Sequence, residues 1–304
     1  MIRRTYLGLD IRSGELRAVA LHRHGRSGRL TNGRLLPLRD GLLRPALRGA
    51  NIPDRRLFVK ALQEVLHPLA GTEERVAVSL PEGAGRLLLT EVGETFRSRE
   101  EGVEILRWQL KNQLPGEAKE VHLDYQSIGP GQNGRTRLLV GLVAQDVLLD
   151  YEETLAAAGY GAQLIDFHPL NVYNFYRPRL EMGNDFILVG VDRQTLSLQV
   201  YQDRALAFYR ARDVESSPTR VFQELARSLA GQSEKIPGSG RAPVFLHCDW
   251  PETGDVSAAV DSAFGRESTL LDVNLQQLAT GALDLPPWRA RGLAAAIGVA
   301  ERLL

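Results

Sequence analysis

Apolar positions along the chain come in short runs broken by tight polar turns, and their period changes from segment to segment. "TYLGLDI", "ELRAVALHR" and "RLTNGRLLPL" predict three successive strands. In "NIPDRRLFVKALQEVLHPLAG" the apolar residues Leu57, Ala61, Val65 and Leu69 recur at helical spacing, with Asp54 as N-cap and Gly71 as the stop. "RVAVSLP" is then a buried strand ended by Pro81, so the opening reads β-β-β-α-β. A different unit follows. "GRLLLTEV" predicts a strand, and a helix from Ser98 to Leu114 starts in a Ser98-x-x-Glu101 capping box and stops at Pro115. "VHLDYQSI" and "RTRLLVGLVA" form a hairpin, and "DVLLDYEETLAAAGYG" forms a helix. That order, β-α-β-β-α, is the signature of an inserted subdomain. "AQLIDFHP" returns as a strand, followed by a short helix near "LNVYNFYR".

The second half restarts the opening theme. "DFILVGVD", "TLSLQVYQD" and "RALAFYRARDV" are again three strands, followed by a helix "SPTRVFQELARSLAGQS" and a strand "APVFLHC". The helix "DVSAAVDSAFG" and the strand "STLLDV" come next, and "PPWRARGLAAAIGVAERLL" predicts one closing helix. The two halves repeat at about 180 residues, far too long for a solenoid. A duplicated α/β domain with a cleft between its halves fits this order.

Composition narrows the classes. The 304 residues are 43% hydrophobic, 24% charged and of zero formal net charge, so nothing argues for nucleic acid or an anionic membrane as partner. One cysteine, Cys248, excludes an internal disulfide, and its place in "APVFLHCDW" predicts an inert core thiol. No run approaches the ~20 apolar residues that span a bilayer. Asp10 interrupts the N-terminal apolar stretch, so no signal peptide is expected.

Most tempting motifs dissolve on inspection. "GPGQNG" matches G-x-G-x-x-G, but a strand follows where a dinucleotide site needs a helix, and Asn133-Gly134 is a hairpin pair. "IPGSGRAP" lacks the Lys and Ser/Thr of a phosphate loop. The histidines (His22, His24, His67, His122, His168 and His247) show no metal spacing, and no hydrolase triad is visible. Glu152 and Glu153 are expected to be solvated helix charge.

The stretches "RVAVSLPEG", "EILRWQLKNQLPGEAKEVHLDYQSIG" and "LLVGLVAQDVLLDYEETLAAAGYGAQLIDFHPLNVYN", with the tail "RARGLAAAIGVAERLL", carry a resemblance. The chain resembles the type IV pilus assembly protein PilM family, within the actin-like ATPase superfamily and related to the GspL and MshI cytoplasmic domains. The resemblance covers nearly the whole chain and is strongest over residues 75 to 175. It implies a duplicated actin-like (ribonuclease H-like) α/β fold. The first half is expected over 1–180 with the insert at about 84–160, and the second over 181–304 with its C-terminal helix packing back on the first.

The resemblance also implies where a nucleotide would bind. In the superfamily one hairpin acid holds magnesium through water, and small residues let backbone N–H groups reach the phosphates. Asp10, Ser13 and Gly14 match that hairpin, and Arg17 stands near its basic position, although a solvent-exposed hairpin explains it as simply. Arg12 replaces the usual glycine, and Arg12→Gly is expected to leave folding intact without creating an ATPase. In the second hairpin, "GVDRQTLSL", Gly190 falls on the acid position, Asp192 on the glycine position, and Thr195 is the small polar remnant. The adenosine loop, "VFLHCDWPETG", carries His247, Cys248, Asp249 and Trp250 where glycines are usual. With all three loops altered, no ATP hydrolysis, no catalytic residue and no resident cofactor or metal are expected. Asp10 would meet magnesium only if Mg-ATP bound.

The expected role is therefore a cytoplasmic scaffold of a type IV pilus or type II secretion inner-membrane platform. It would bind the N-terminal cytoplasmic segment of a PilN-like protein, in a groove beside the insert, and reach the membrane only through that partner. An assembly ATPase is a further candidate partner. Ile105, Trp108 and Leu110 are the candidate contact residues. The lack of an apolar span favours the separate soluble type over the GspL type. The alternative is an ATP-binding or ATP-hydrolysing actin-like protein whose nucleotide state switches platform assembly.

Overall fold

A computed structural model describes residues 4–25, 27–93, 96–230, 240–281 and 283–304. The first half opens with β1 (Thr5–Arg12), β2 (Glu15–His24), β3 (Ser27–Pro37), α1 (Arg55–Ala70) and β4 (Arg75–Leu80). The insert contributes β5 (Arg86–Val92), α2 (Arg99–Gln109), β6 (Val121–Pro130) and β7 (Thr136–Ala144). Next come α3 (Gln145–Ala157), β8 (Gly161–Phe167) and α4 (His168–Leu180). The second half holds β9 (Phe186–Asp192), β10 (Thr195–Gln202), β11 (Ala205–Asp213), α5 (Pro218–Ala230), β12 (Val244–Cys248), α6 (Thr253–Phe264) and β13 (Ser268–Leu270). The short α7 (Leu275–Leu278) and α8 (Pro287–Arg291) lead into α9 (Ala294–Glu301).

Two five-stranded sheets carry the duplication, in the orders β3-β2-β1-β4-β8 and β11-β10-β9-β12-β13. In each, the first two strands pair as an antiparallel hairpin and the central strand pairs parallel to the strand after the helix. Strand alternation then assigns the faces. Leu7, Leu9 and Ile11 of β1 face α1, and Ile187, Val189 and Val191 of β9 join Val221, Leu225, Val256 and Val260 of α5 and α6. The opposite faces, with Tyr6, Val19, Leu21, Phe186 and Leu188, meet in a central layer filled by α4 and α9. The molecule is thus a stack of helices, sheet, helices, sheet and helices. α9 lies directly on β1, β2 and β4. A Cβ on Gly8 would stand 2.0 Å from the carbonyl oxygen of Ala296, and one on Gly298 would stand 2.0 Å from that of Asn171. Only glycine permits these approaches.

Asp54 caps α1 by accepting the Leu57 N–H at 3.0 Å. Ser98 likewise accepts the Glu101 N–H at 3.2 Å, but Glu101 reaches back to the N–H of Arg97, at 2.6 Å, rather than to that of Ser98. α2 ends at Gln109, well short of Leu114. Its last turn gives way to a tighter bond from the Gln113 N–H to the Leu110 carbonyl, 2.7 Å, and Leu110, one turn on from the buried Leu106, joins the insert's own core. The insert proper is the sheet β5-β7-β6 with α2. α3, placed with the insert by element order, packs on α1 and β8 through Val147, Tyr151 and Leu155 as well as on β6 and β7. The closing helix is two helices, interrupted at Gly292–Leu293. "GPGQNG" is a hairpin connection in which Asn133 and Gly134 both take positive φ, 53° and 76°. Residues 236–239 of "IPGSGRAP" lie outside the described residues. No helix among the described residues is long and apolar enough to cross a membrane.

Candidate functional site

The central layer is apolar through most of its depth and ionic at one edge. β1, β4 and β8 run parallel, so their C-terminal ends gather at one edge of the sheet and deliver Asp10, Arg12, Glu82 and His168 there. In the opening hairpin Asp10 pairs with Arg17 and Arg12 with Glu15, which places all four side chains on one face. In the second hairpin Asp192 pairs with Thr195 and Gly190 with Ser197. By that register Gly190 occupies the position of Asp10, and Asp192, two residues on, faces the same way. The loop after β12 adds Asp249.

These groups bond to one another across the gap between the sheets. His168, the first residue of α4, meets Asp10 Oδ1 through Nδ1 at 2.9 Å and Asp192 Oδ2 through Nε2 at 2.8 Å. Two carboxylates on the two ring nitrogens require two N–H donors, which only the imidazolium supplies. Burial and the Arg12 guanidinium oppose that charge, but Asp10 and Asp192 outweigh them and push the His168 pKa up to about 9. Arg17 donates two hydrogen bonds to Asp192, at 3.3 and 3.2 Å, and others to Asp249, to Glu15 (2.9 Å) and to the Gly292 carbonyl (3.2 Å). The interruption between α8 and α9 thus lies where a main-chain oxygen meets this guanidinium. Arg12 pairs with Glu82 at 2.7 Å and Asp192 at 3.2 Å, and donates to Thr195 Oγ1 at 3.4 Å. Arg289 completes the set on Glu15 at 2.6 Å. Asp10, Arg12, Arg17, His168 and Asp192 are each no more than 3% exposed.

Buried charges are tolerable only when paired in this way. Against its burial, Arg12, Arg17 and His168 hold the Asp192 carboxyl well below the ordinary range. Asp249, buried and beside Asp192, is pushed up to about 7 despite Arg17. His247 is kept neutral by burial, its pKa lowered to about 3, and lies near the Tyr176 hydroxyl. Cys248 is buried and its thiol is pushed up to about 12 by burial, which fits an inert core group.

Asp10, Ser13, Gly14, Arg17 and Thr195 do come together. Arg17, for which a solvent-exposed hairpin was an equal expectation, is instead the centre of the network. Arg12, expected to be dispensable, is buried between two acids, so its loss would strand Glu82 and take one of three partners from Asp192. On α2, Trp108 is 75% exposed and Ile105 is 37% exposed, whereas Leu110 is 2% exposed and is corrected from a contact residue to a core residue of the insert. Glu152 and Glu153 are exposed. Trp250 is buried in the second half's core. Sequence reading missed His168, Glu82 and the pairing role of Asp192 and Asp249. The available signal was topological: each sits at or just past the C-terminal end of one of the parallel strands β4, β8, β9 and β12.

The fold raises the question of a magnesium-nucleotide, and these residues do not fit one as arranged. The Asp10 oxygen not taken by His168 faces Arg17 Nη1 at 3.9 Å. The hairpin turn, which should offer its N–H groups to phosphate, is overlain: a Cβ on Gly14 would meet the Arg193 guanidinium at 3.0 Å. A triphosphate would have to separate Arg12 and Arg17 from their acids and would bring more negative charge beside Asp192 and Asp249. Asp10, His168 and Asp192 lie close enough to share a cation, with ligand atoms within 4.8 Å of one another. Both imidazole nitrogens are already engaged as donors, and two arginines face the same acids. Against the network lies a cavity of about 760 Å³, lined by its Arg12, Glu15, Arg17 and Asp249 together with Ser13 and Trp288.

No protein-family model and no curated protein sequence matches the chain. Solved structures do. The chain is similar to a protein in a structure of the PilM–PilN type IV pilus biogenesis complex, with 18% identity, 99% of this chain and 98% of that one covered, and a TM-score of 0.82. It is similar to the cytoplasmic domain of EpsL, an inner-membrane component of the type II secretion system of Vibrio cholerae, with 13% identity, 98% and 94% coverage, and a TM-score of 0.55. A Bacteroides thetaiotaomicron protein with an actin-like ATPase fold and unknown function matches with 9% identity, 88% and 91% coverage, and a TM-score of 0.56. The chain has the actin-like ATPase fold, and among these neighbours its likeness to the PilM–PilN structure extends over nearly its whole length.

Proposed function

We propose that the chain is a non-hydrolysing actin-like scaffold of a type IV pilus or type II secretion platform. In this reading it works on the cytoplasmic side of the inner membrane and binds the N-terminal segment of a PilN-like membrane protein. The observation that carries the non-hydrolytic part is the ionic network between the two hairpins, which sets the protein's own charges where the fold would hold magnesium and phosphate. Support for the partner comes from the likeness to the PilM–PilN complex and from an exposed Trp108 beside Ile105 on the insert. Exposed tryptophans of this kind are frequent binding hot spots.

Calorimetric titration with the N-terminal segment of the PilN-like protein from the same genome tests this reading. Saturable binding is expected. Trp108→Ala should weaken it at least tenfold, an effect of about 1.4 kcal/mol, and leave the melting temperature unchanged because the side chain stands in solvent. No binding at high micromolar peptide would count decisively against the partner assignment. The cavity beside the network supports one second reading, an actin-like protein that binds ATP and switches platform assembly with its nucleotide state.

A further inference from the structure

We propose that the network is a permanent interlock: His168, Arg12 and Arg17 take over the clamping role of a ligand between the hairpins, so the two halves stay closed without one. This rests on the non-hydrolytic reading of the cleft and adds a conformational claim to it. Three independent ties join the halves. The first is the network, in which Asp192 of the second half is held from three directions by residues of the first. The second is α9, which belongs to the second half by sequence but lies on β1, β2 and β4 at glycine distance. The third is the insert, whose β5 and β6 lie against β11, with Leu89, Ile128 and Leu139 turned to the central core.

A hinge needs an interface that can part at low cost. Parting this one would separate two guanidiniums and an imidazolium from buried carboxylates while also exposing the apolar layer in which Phe186 and Leu188 of the second half meet α4 and α9. Each step exposes uncompensated charge or apolar surface. Opening by itself is therefore as costly as unfolding, and the hairpins should open only with the rest of the molecule.

Native-state hydrogen exchange on the full chain tests this. In the wild type, amides of the β1–β2 and β9–β10 hairpins are expected to exchange as slowly as those of β4 and β12, and millimolar Mg-ATP should leave their rates unchanged. Asp192→Asn keeps the shape and removes the shared charge. It should speed exchange in both hairpins at least tenfold more than in β4 and β12, whose rates rise only as far as the global stability falls. Wild-type hairpins exchanging a hundredfold faster than β4 and β12 would overturn the proposal, whether or not the variant folds. So would a tenfold slowing of the hairpins by Mg-ATP, or an Asp192→Asn variant with wild-type rates. Failure of the PilN-like segment to bind would leave the interlock standing, and a failed interlock would leave the partner assignment standing.

Discussion

Arg17→Met is expected to lower the unfolding free energy by about 3–5 kcal/mol, the cost of removing one partner from a buried ion-paired cluster. Methionine fills much of the volume, so packing loss is small and the effect is electrostatic. Asp192 loses two hydrogen bonds, and Asp249 and Glu15 lose one each, all on buried carboxylates. On a chain of this size the melting temperature should fall on the order of 10 °C. Arg12→Gly should behave in the same direction, because it removes the ion pair on Glu82 and one of the three on Asp192, and loosens the hairpin. Denaturant titration measures both. Wild-type stability in Arg17→Met would mean that the ion pairs contribute nothing net, and the structural role assigned to them would fall.

The second large effect is a dependence on alkaline pH. His168 titrates near 9 in the folded protein against an ordinary value of 6.5. A cation favoured by folding stabilises fully below the unfolded pKa and loses its contribution as pH rises through the folded one. The window is therefore about pH 6.5 to 9, and the loss across it is about 3 kcal/mol. Deprotonation leaves one imidazole lone pair facing a carboxylate, which turns an attraction into a repulsion. Asp249 has its own window at lower pH, since its value is raised to about 7, so it loses stability as pH climbs toward neutrality. The two are separable: His168→Gln should abolish the loss between pH 7.5 and 9 and leave the part below 7. A wild-type stability curve flat from pH 7.5 to 9 would show that His168 is not held as a cation.

Local patterns made the elements legible, and the reasons for the misses are tertiary. The strands β1 to β3, the capped helix α1 and the restart at Phe186 follow from alternation, cap chemistry and turn residues, all of which are local. The alignment of Gly190 with Asp10 also followed, because hairpin register is set by the turn. What could not be read was the use of Asp192. It stands on the glycine position and seemed out of place, yet alternation gives it the same face as residue 190. His168 lies 158 residues from Asp10, and only the parallel order β1-β4-β8 brings the two strand ends together. Residue type alone makes Arg12 and Arg17 solvated charges on a hairpin, whereas the acids brought in from β9 and the loops after β4 and β12 decide their burial. Leu110 was misjudged for a similar reason. It lies four residues after the buried Leu106, on the stripe of α2 that faces the insert's core, whereas Ile105 and Trp108 lie off that stripe.

The central claim is that the protein's own side chains stand where the fold would hold a nucleotide. Thermal denaturation of the full chain with and without millimolar Mg-ATP tests it most directly. A ligand present at 100 times its Kd stabilises by about 2.7 kcal/mol. The account predicts no shift in melting temperature up to several millimolar Mg-ATP. A saturable upward shift that Asp10→Ala removes would contradict it.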